Sequence, residues 1–255
     1  MLREILAANA FNMLLVFVRL GAAIMFFPAI GGVTVSARIR LLLALGVAFV
    51  VLPAVSPALP REPHEPIELA LLLIQEITVG FYFGITMQLL MAAIDLAGNF
   101  MGYSVGLTNA LISDPVTDQQ SQLISGFLNT AAVALMLITN VHHLMLRAVV
   151  DSYTLFQPGA QLPMGDFVSE LVKTLGASFI VGLKMAAPLF IFSLVFNAGL
   201  GLVNRLVPQM QVFFVGMPLQ ILGGFAVFVL CASAIMFVFL SYFGQAIGAY
   251  IAPPG

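Results

Sequence analysis

The sequence predicts an all-α integral membrane protein. Three observations carry that prediction. Hydrophobic residues fill 61% of its 255 positions, and charged residues only 8%, where soluble domains carry about a quarter. The apolar positions gather in runs near the roughly 20 residues that cross a bilayer as helix. No stretch alternates apolar and polar as a half-buried strand does. A net charge of -2 with nine Lys and Arg leaves no basic face to neutralise a row of phosphates, so nucleic acid is excluded as a partner and membrane lipid is implied. The single cysteine, Cys231, sits in an apolar run and forms no disulfide framework.

About six long apolar helices are expected. The first, Ile5 to Phe27, stops at Pro28, with Gly31 and Gly32 as a turn. It exceeds a signal-peptide core and holds Arg19, so it reads as retained. Arg38 and Arg40 flank the second, Leu41 to about Leu59, which Pro53 and Pro57 punctuate late. Pro60 to Glu68 holds Arg61, Glu62, His64 and Glu65 and reads as a surface loop. The third run, Leu69 to Ile94, continues through Asp95 to near Gly106. The longest polar interruption follows, with Ser113, Asp114 and Pro115 as a helix stop and Asp118, Gln119, Gln120 and Gln122 behind them.

The fourth span is read as continuous from Leu123 to Leu146, closed by Arg147. Asp151 to Lys173 is mixed, and Asp166 is placed as the cap of a helix starting at Phe167 that leads into the fifth span, about Leu175 to Val203. The last run, Val212 to Ile251, is interrupted only by Pro218 and Gly223-Gly224. From Leu219 onward roughly 30 residues of helix would reach about 45 Å, beyond a hydrocarbon core of about 30 Å, so part of it should pack against protein. No repeat or inverted halves are visible, and residues 1–255 read as one membrane domain.

Polar groups inside such runs need partners or water. Arg19, Glu76 and Lys184 lie within apolar stretches, with Asn204 and Arg205 near a span end, and each charge at a helix centre costs about 2.5 to 3.5 kcal/mol. Asn9, Asn12 and Arg19 share one helix sector, Lys173 and Lys184 another, and Glu76 lines up with Gly80 and Gly84 at four-residue spacing. Two readings stay open, a structural ion pair or snorkelling charge and the lining of a polar pathway. Gly98, Gly102 and Gly106, like Gly244 and Gly248, form GxxxG steps that let a neighbouring backbone approach, and these read as helix-packing positions.

Catalytic constellations are missing from the sequence. There is no GxxxxGK[ST] loop and no HExxH helix. The adjacent His142 and His143 make a poor metal pair, and Asp114 and Asp118 lie beside Pro115 as turn residues. No catalytic, cofactor-binding or metal site is expected, and function is assigned to helix packing around a polar pathway. Two rivals remain, a stand-alone ion-coupled transporter using Glu76, Lys184 and Arg205, and an intramembrane enzyme, which the missing constellation disfavours.

From Asn204 the chain reads NRLVPQMQVFFVGMPLQILGGF. This segment resembles the signature of the FliR family of flagellar export-gate proteins and their injectisome counterparts, through Asn204, Arg205, Pro208, Gln209, Val212, Phe213, Gly216 and Pro218. Phe27, Pro28, Gly32, Arg38, Arg40 and Leu41 look like the family's first turn, and Glu76, Gly80 and Gly84 like its third helix. The resemblance implies interlocking hairpins, with about 1–170 FliP-like and about 171–255 a FliQ-like helical hairpin. It implies a subunit of the flagellar type III export gate in the bacterial inner membrane, at the basal body and needed for flagellum assembly. Its partners would be FliP- and FliQ-like subunits, FlhB- and FlhA-like export proteins and unfolded flagellar substrates, with no cofactor. The family's central loop acts as a plug, and it corresponds here to about Gly106 to Gln122, including Asn109, Ser113, Asp114, Pro115 and Asp118. An injectisome export-gate subunit is the nearest alternative.

Overall fold

Proline and glycine end the helices where the chain must turn. In the computed structural model, which describes residues 2–32, 35–63, 65–106, 122–206 and 212–251, every regular element is helical. Helix α1 (Leu2–Ile24) tightens into i→i+3 bonds at Phe26 and Phe27 before Pro28. Ala29 then takes φ 71°, and a side chain at Gly31 would strike the Met25 carbonyl oxygen, so the turn needs glycine there. Helix α2 (Ala37–Val55) carries Pro53 inside it and runs into a 3-10 turn at Ser56–Ala58. Arg38 and Arg40 lie inside its first turn, and Arg40 donates back to the Gly31 carbonyl at 3.2 Å.

Pro66 opens α3 (Pro66–Val105), where its fixed φ suits the first turn and Glu68 faces the positive helix end. This helix continues for 40 residues to Gly106, whose φ of 81° ends it. Its apolar stretch is 61% buried, against 17% to 22% for those of α2, α6 and α7, which makes α3 the most enclosed of these four.

The fourth run departs from expectation. Instead of one helix from Leu123 to Leu146 there are two, α4 (Gln122–Ile138) and α5 (Val141–Leu155), bent by 73° at the break. Asn140 takes left-handed φ 60° and ψ 20°, which its short polar side chain tolerates where most residues would not. The fifth run departs too. Met164, not Phe167, begins α6 (Met164–Leu206), so Asp166 lies within its first turn and not before it. The mixed stretch before Leu175 is helix because its polar residues suit one exposed face, where Lys173 pairs with Glu170 at 3.3 Å. Helix α7 (Val212–Gly248) contains Pro218 as α6 contains Pro188.

Six spans therefore become fewer. Among the described residues four helices are long and apolar enough to cross a membrane, or five if α4 and α5 make one bent span. Overlength is also commoner than the sequence suggested: α3, α6 and α7, at 40, 43 and 37 residues, would run roughly 55 to 65 Å.

The chain packs as two compact units. Met1–Leu90, Leu137–Leu175 and Gly244–Gly255 form the first, Met91–Met136 and Gly176–Phe243 the second. The first unit buries Leu15, Leu20, Ile24, Phe27, Phe83 and Met87, and it carries an aromatic cluster. Tyr82 stacks on Phe167 with ring centroids 4.3 Å apart, and its hydroxyl meets that of Tyr250 at 2.8 Å. Burial holds the Tyr250 phenol above its ordinary pKa, so it stays protonated. The second unit buries Ile94, Ala97, Met101, Phe239 and Phe243, and Gly98 presses on Ser125 of α4.

That last contact sets a test. A side chain at Gly98 would overlap Ser125 backbone atoms, which cannot rotate away, whereas one at Gly176 meets nothing within 4 Å. Gly98→Val should destabilise by about 1 to 3 kcal/mol and Gly176→Ala should stabilise by about 0.5 to 1 kcal/mol. Melting curves of the detergent-solubilised chain read both, and a Gly98→Val protein that melts with its parent would show the contact to be loose.

Candidate functional site

Three polar arrangements stand inside the apolar helices. In the first unit α1 delivers Arg19 and α3 delivers Glu76, both only 1% exposed. The guanidinium forks onto the carboxylate, with Nε to Oε2 at 2.7 Å and Nη2 to Oε1 at 2.8 Å. Its remaining donors reach Ser152 Oγ at 3.1 Å and the Phe156 carbonyl at 3.0 Å, a carbonyl left free because α5 has just ended. The Tyr153 ring lies 3.8 Å beneath the guanidinium carbon. Gly80, one turn beyond Glu76, lets α3 sit against the Arg19 backbone, since a side chain there would strike the Arg19 carbonyl oxygen. Gly84 continues the groove, where an added methyl would lie 2.8 Å from Phe26 Cβ. Asn9 and Asn12, exposed and half-buried, do not join this clasp.

The second arrangement flanks the polar segment between α3 and α4. Gln220 of α7 donates to the Ser104 carbonyl at 3.1 Å, and an added methyl at Gly106 would lie 3.3 Å from the Gln220 amide carbon. Gly224 faces Val105, Gly223 faces Phe192, and Gly216 faces Leu200, each at a distance of 2.7 to 2.9 Å from where a side chain would begin. These three glycines pave one stretch of α7 so that α3 and α6 approach it closely. Gly102 is buried and Pro218 exposed, and Phe213 lies in the first turn of α7. Asn109, Ser113, Asp114, Pro115 and Asp118 lie outside the described residues, as do Pro208 and Gln209.

The third arrangement was not singled out from the sequence. Asp95 of α3 accepts a hydrogen bond at Oδ1 from Asn129 Nδ2 of α4 at 2.7 Å, and Ser125 Oγ donates to the Asp95 carbonyl at 3.4 Å. Together with Asn99, Gly126 and Thr130 they line a cleft of about 450 Å³ in the second unit. The signal was present in the spacing: Asp95 and Asn99 lie one turn apart, on an otherwise apolar helix.

The other polar residues that the sequence marks on the helices do not gather into one site. Lys184, Asn204 and Arg205 are exposed on α6. Lys184 and Arg205 are 21 positions apart along that helix, on the order of 30 Å, and Glu76 is already taken by Arg19, so no coupled ion site forms from these three. Gly244 and Gly248 meet nothing within 4 Å of an added side chain. The His142 and His143 rings lie 4.1 Å apart, but among the described residues no three His, Cys, Asp or Glu side chains are grouped to hold a metal ion.

Long apolar helices, large apolar side chains turned outward and a charge pair sealed inside define a multi-pass integral membrane protein. The family model described as bacterial export proteins, family 1, matches residues 10–246, and the chain belongs to that family. Similar proteins include flagellar biosynthetic protein FliR of Caulobacter vibrioides, 35% identical over 224 residues that make up 88% of this chain and 89% of that one. FliR of Bacillus subtilis is 33% identical over 92% and 91% of the two chains, and FliR of Escherichia coli 30% identical over 81% and 78%. The resemblance read from the Asn204 segment is borne out.

The clasp predicts an asymmetry. Glu76→Gln leaves Arg19 buried without a counter-charge and should cost about 3 to 5 kcal/mol, whereas Arg19→Met with Glu76→Leu removes both charges and should regain most of that loss. Melting temperature and membrane yield of the single and double variants compare the two, and a double variant no better than Glu76→Gln would show that packing, and not charge, governs the site.

Proposed function

We propose that this chain is a membrane component of the flagellar export apparatus, and within it a gate subunit. The reading rests on family membership together with one structural observation, the glycine-paved contact of α7 with the end of α3 where the polar segment 107–121 begins. On this reading it forms an inner-membrane channel with FliP- and FliQ-like subunits, and unfolded flagellar proteins pass through it from FlhB- and FlhA-like export proteins. The segment of about Gly106 to Gln122 is the plug. The polar composition of this segment, joined to two firmly packed helices, suits a gate. Exposed Lys184, Asn204 and Arg205, and the open Gly244–Gly248 step, are the surfaces that neighbouring subunits cover. No chemical step is required of this chain, since the work is positioning and sealing.

Deleting Asn109 to Asp118 should leave assembly intact and make the membrane leaky to small solutes, read as dye or ion influx into cells, and unchanged permeability would remove the plug assignment. Gly102→Leu places a branched side chain at a buried helix position and should abolish co-purification with the partner subunits. Normal recovery of those subunits would show that Gly102 is not required for assembly.

A further inference from the structure

We propose that the Asp95 cleft is the docking site for a cationic side chain, lysine or arginine, carried on an apolar helix of a neighbouring subunit. This rests on the gate-subunit reading and goes beyond it by naming the contact. Three donors in the cleft are already used. Asn129 gives its amide hydrogen to Asp95 Oδ1, Ser125 gives its hydroxyl hydrogen to the Asp95 carbonyl, and Thr130 gives its own to the Gly126 carbonyl at 2.8 Å. What remains is mostly acceptors: the rest of the Asp95 carboxylate, the Asn129 amide oxygen and two hydroxyl lone-pair sites, beside the Asn99 amide, which can give or accept, and the second Asn129 N–H. A group offering several donors and a positive charge complements that set, and ammonium and guanidinium are the side chains that do so. Among the described residues no lysine or arginine forms an ion pair with Asp95.

The surroundings favour a side chain over a free ion. The cleft of about 450 Å³ has room for the head of a lysine or arginine. The exposed residues next to its lining in sequence are apolar or aromatic. Leu123 and Phe127, on either side of Ser125 and Gly126 in α4, are each 60% exposed, and so is Tyr103, one turn beyond Asn99 on α3. An occupant that covers such side chains as well comes on an apolar helix, with its cation as the polar point to be matched.

The test uses the full-length tagged chain in a flagellated bacterium lacking its own copy, with membranes solubilised in mild detergent. Phe127 is replaced by the photo-crosslinker benzoylphenylalanine, an aromatic for an aromatic at the cleft rim. Irradiation should attach a different subunit, and peptide mapping should locate the attachment in an apolar helix bearing lysine or arginine. Asp95→Asn should lower recovery of that subunit about tenfold and Asp95→Glu should retain it, while Asp95→Lys should be rescued by an aspartate at the mapped cation. Attachment only to lipid or to a second copy of this chain overturns the proposal, as does full recovery with Asp95→Asn or restoration of the Asp95→Asn loss by added sodium. If Asp95→Asn fails to accumulate, the crosslink decides on its own, because it is made with Asp95 intact. A wild-type chain that purifies with no other subunit overturns the gate reading as well, whereas partners recovered equally by wild type and Asp95→Asn overturn the cleft assignment alone.

Discussion

A guanidinium and a carboxylate removed from water each lose solvation worth several kcal/mol, and the Arg19–Glu76 pair recovers it only because its remaining donors are also met. That requirement reaches through the whole first unit. Helix α1 must bring its backbone against α3, which Gly80 permits, and α5 must end where the Phe156 carbonyl can face Arg19. The left-handed turn at Asn140 belongs to the same arrangement, since α5 follows it directly and carries Ser152 and Tyr153 to the clasp. One buried charge thus fixes the relation of three helices. Apolar packing alone would tolerate many neighbouring registers, whereas a bidentate fork with two further bonds accepts one.

Glycine supplies the second constraint. In hydrocarbon the apolar effect no longer drives helices together, so close van der Waals approach matters more. Gly80, Gly98 and Gly182 each abut backbone atoms of a neighbour, while Gly216, Gly223 and Gly224 abut branched or aromatic side chains. These contacts differ in consequence. A neighbouring side chain can rotate to make room for a methyl group, but a carbonyl in a packed helix cannot move without shifting its whole turn.

Much of this was legible in advance, and the misses share a cause. Composition fixed the class, and the run lengths located most helices, because burial in lipid imposes one pattern on every residue of a span. The Asn204 segment identified the family, and the Glu76–Gly80–Gly84 spacing marked the α3 groove. Three features were not readable. Asn140 lies in a run apolar enough to pass as one helix, and nothing in hydropathy distinguishes a left-handed asparagine from a helical one. The sequence puts the start of α6 at Phe167, three residues late, because Asp166 suits a cap as well as it suits a first turn. Asp95 went unweighted because its partner, Asn129, is 34 positions away and on another helix. Arg19 and Glu76 were picked out singly, but their pairing across 57 positions is likewise a property of packing.

The charges inside the helices fall into two kinds, and the difference between them bears on what the chain is for. Arg19 and Glu76 are settled within the chain. Asp95 has one amide for company, and Lys184, exposed in the middle of α6, has no acidic partner among the described residues. A solitary membrane protein would gain stability by exchanging such residues for leucine, since lipid offers a charge nothing. Retaining a charge that the fold itself does not satisfy makes sense where another polypeptide supplies the counterpart, and there the same cost becomes selectivity, because an uncharged or wrongly charged neighbour leaves it unrelieved. Three helices longer than a hydrocarbon core and broad apolar faces on α2, α6 and α7 fit the same interpretation. The fold settles one buried ion pair within itself, and on the gate reading proposed above the polarity that remains is what neighbouring subunits would recognise.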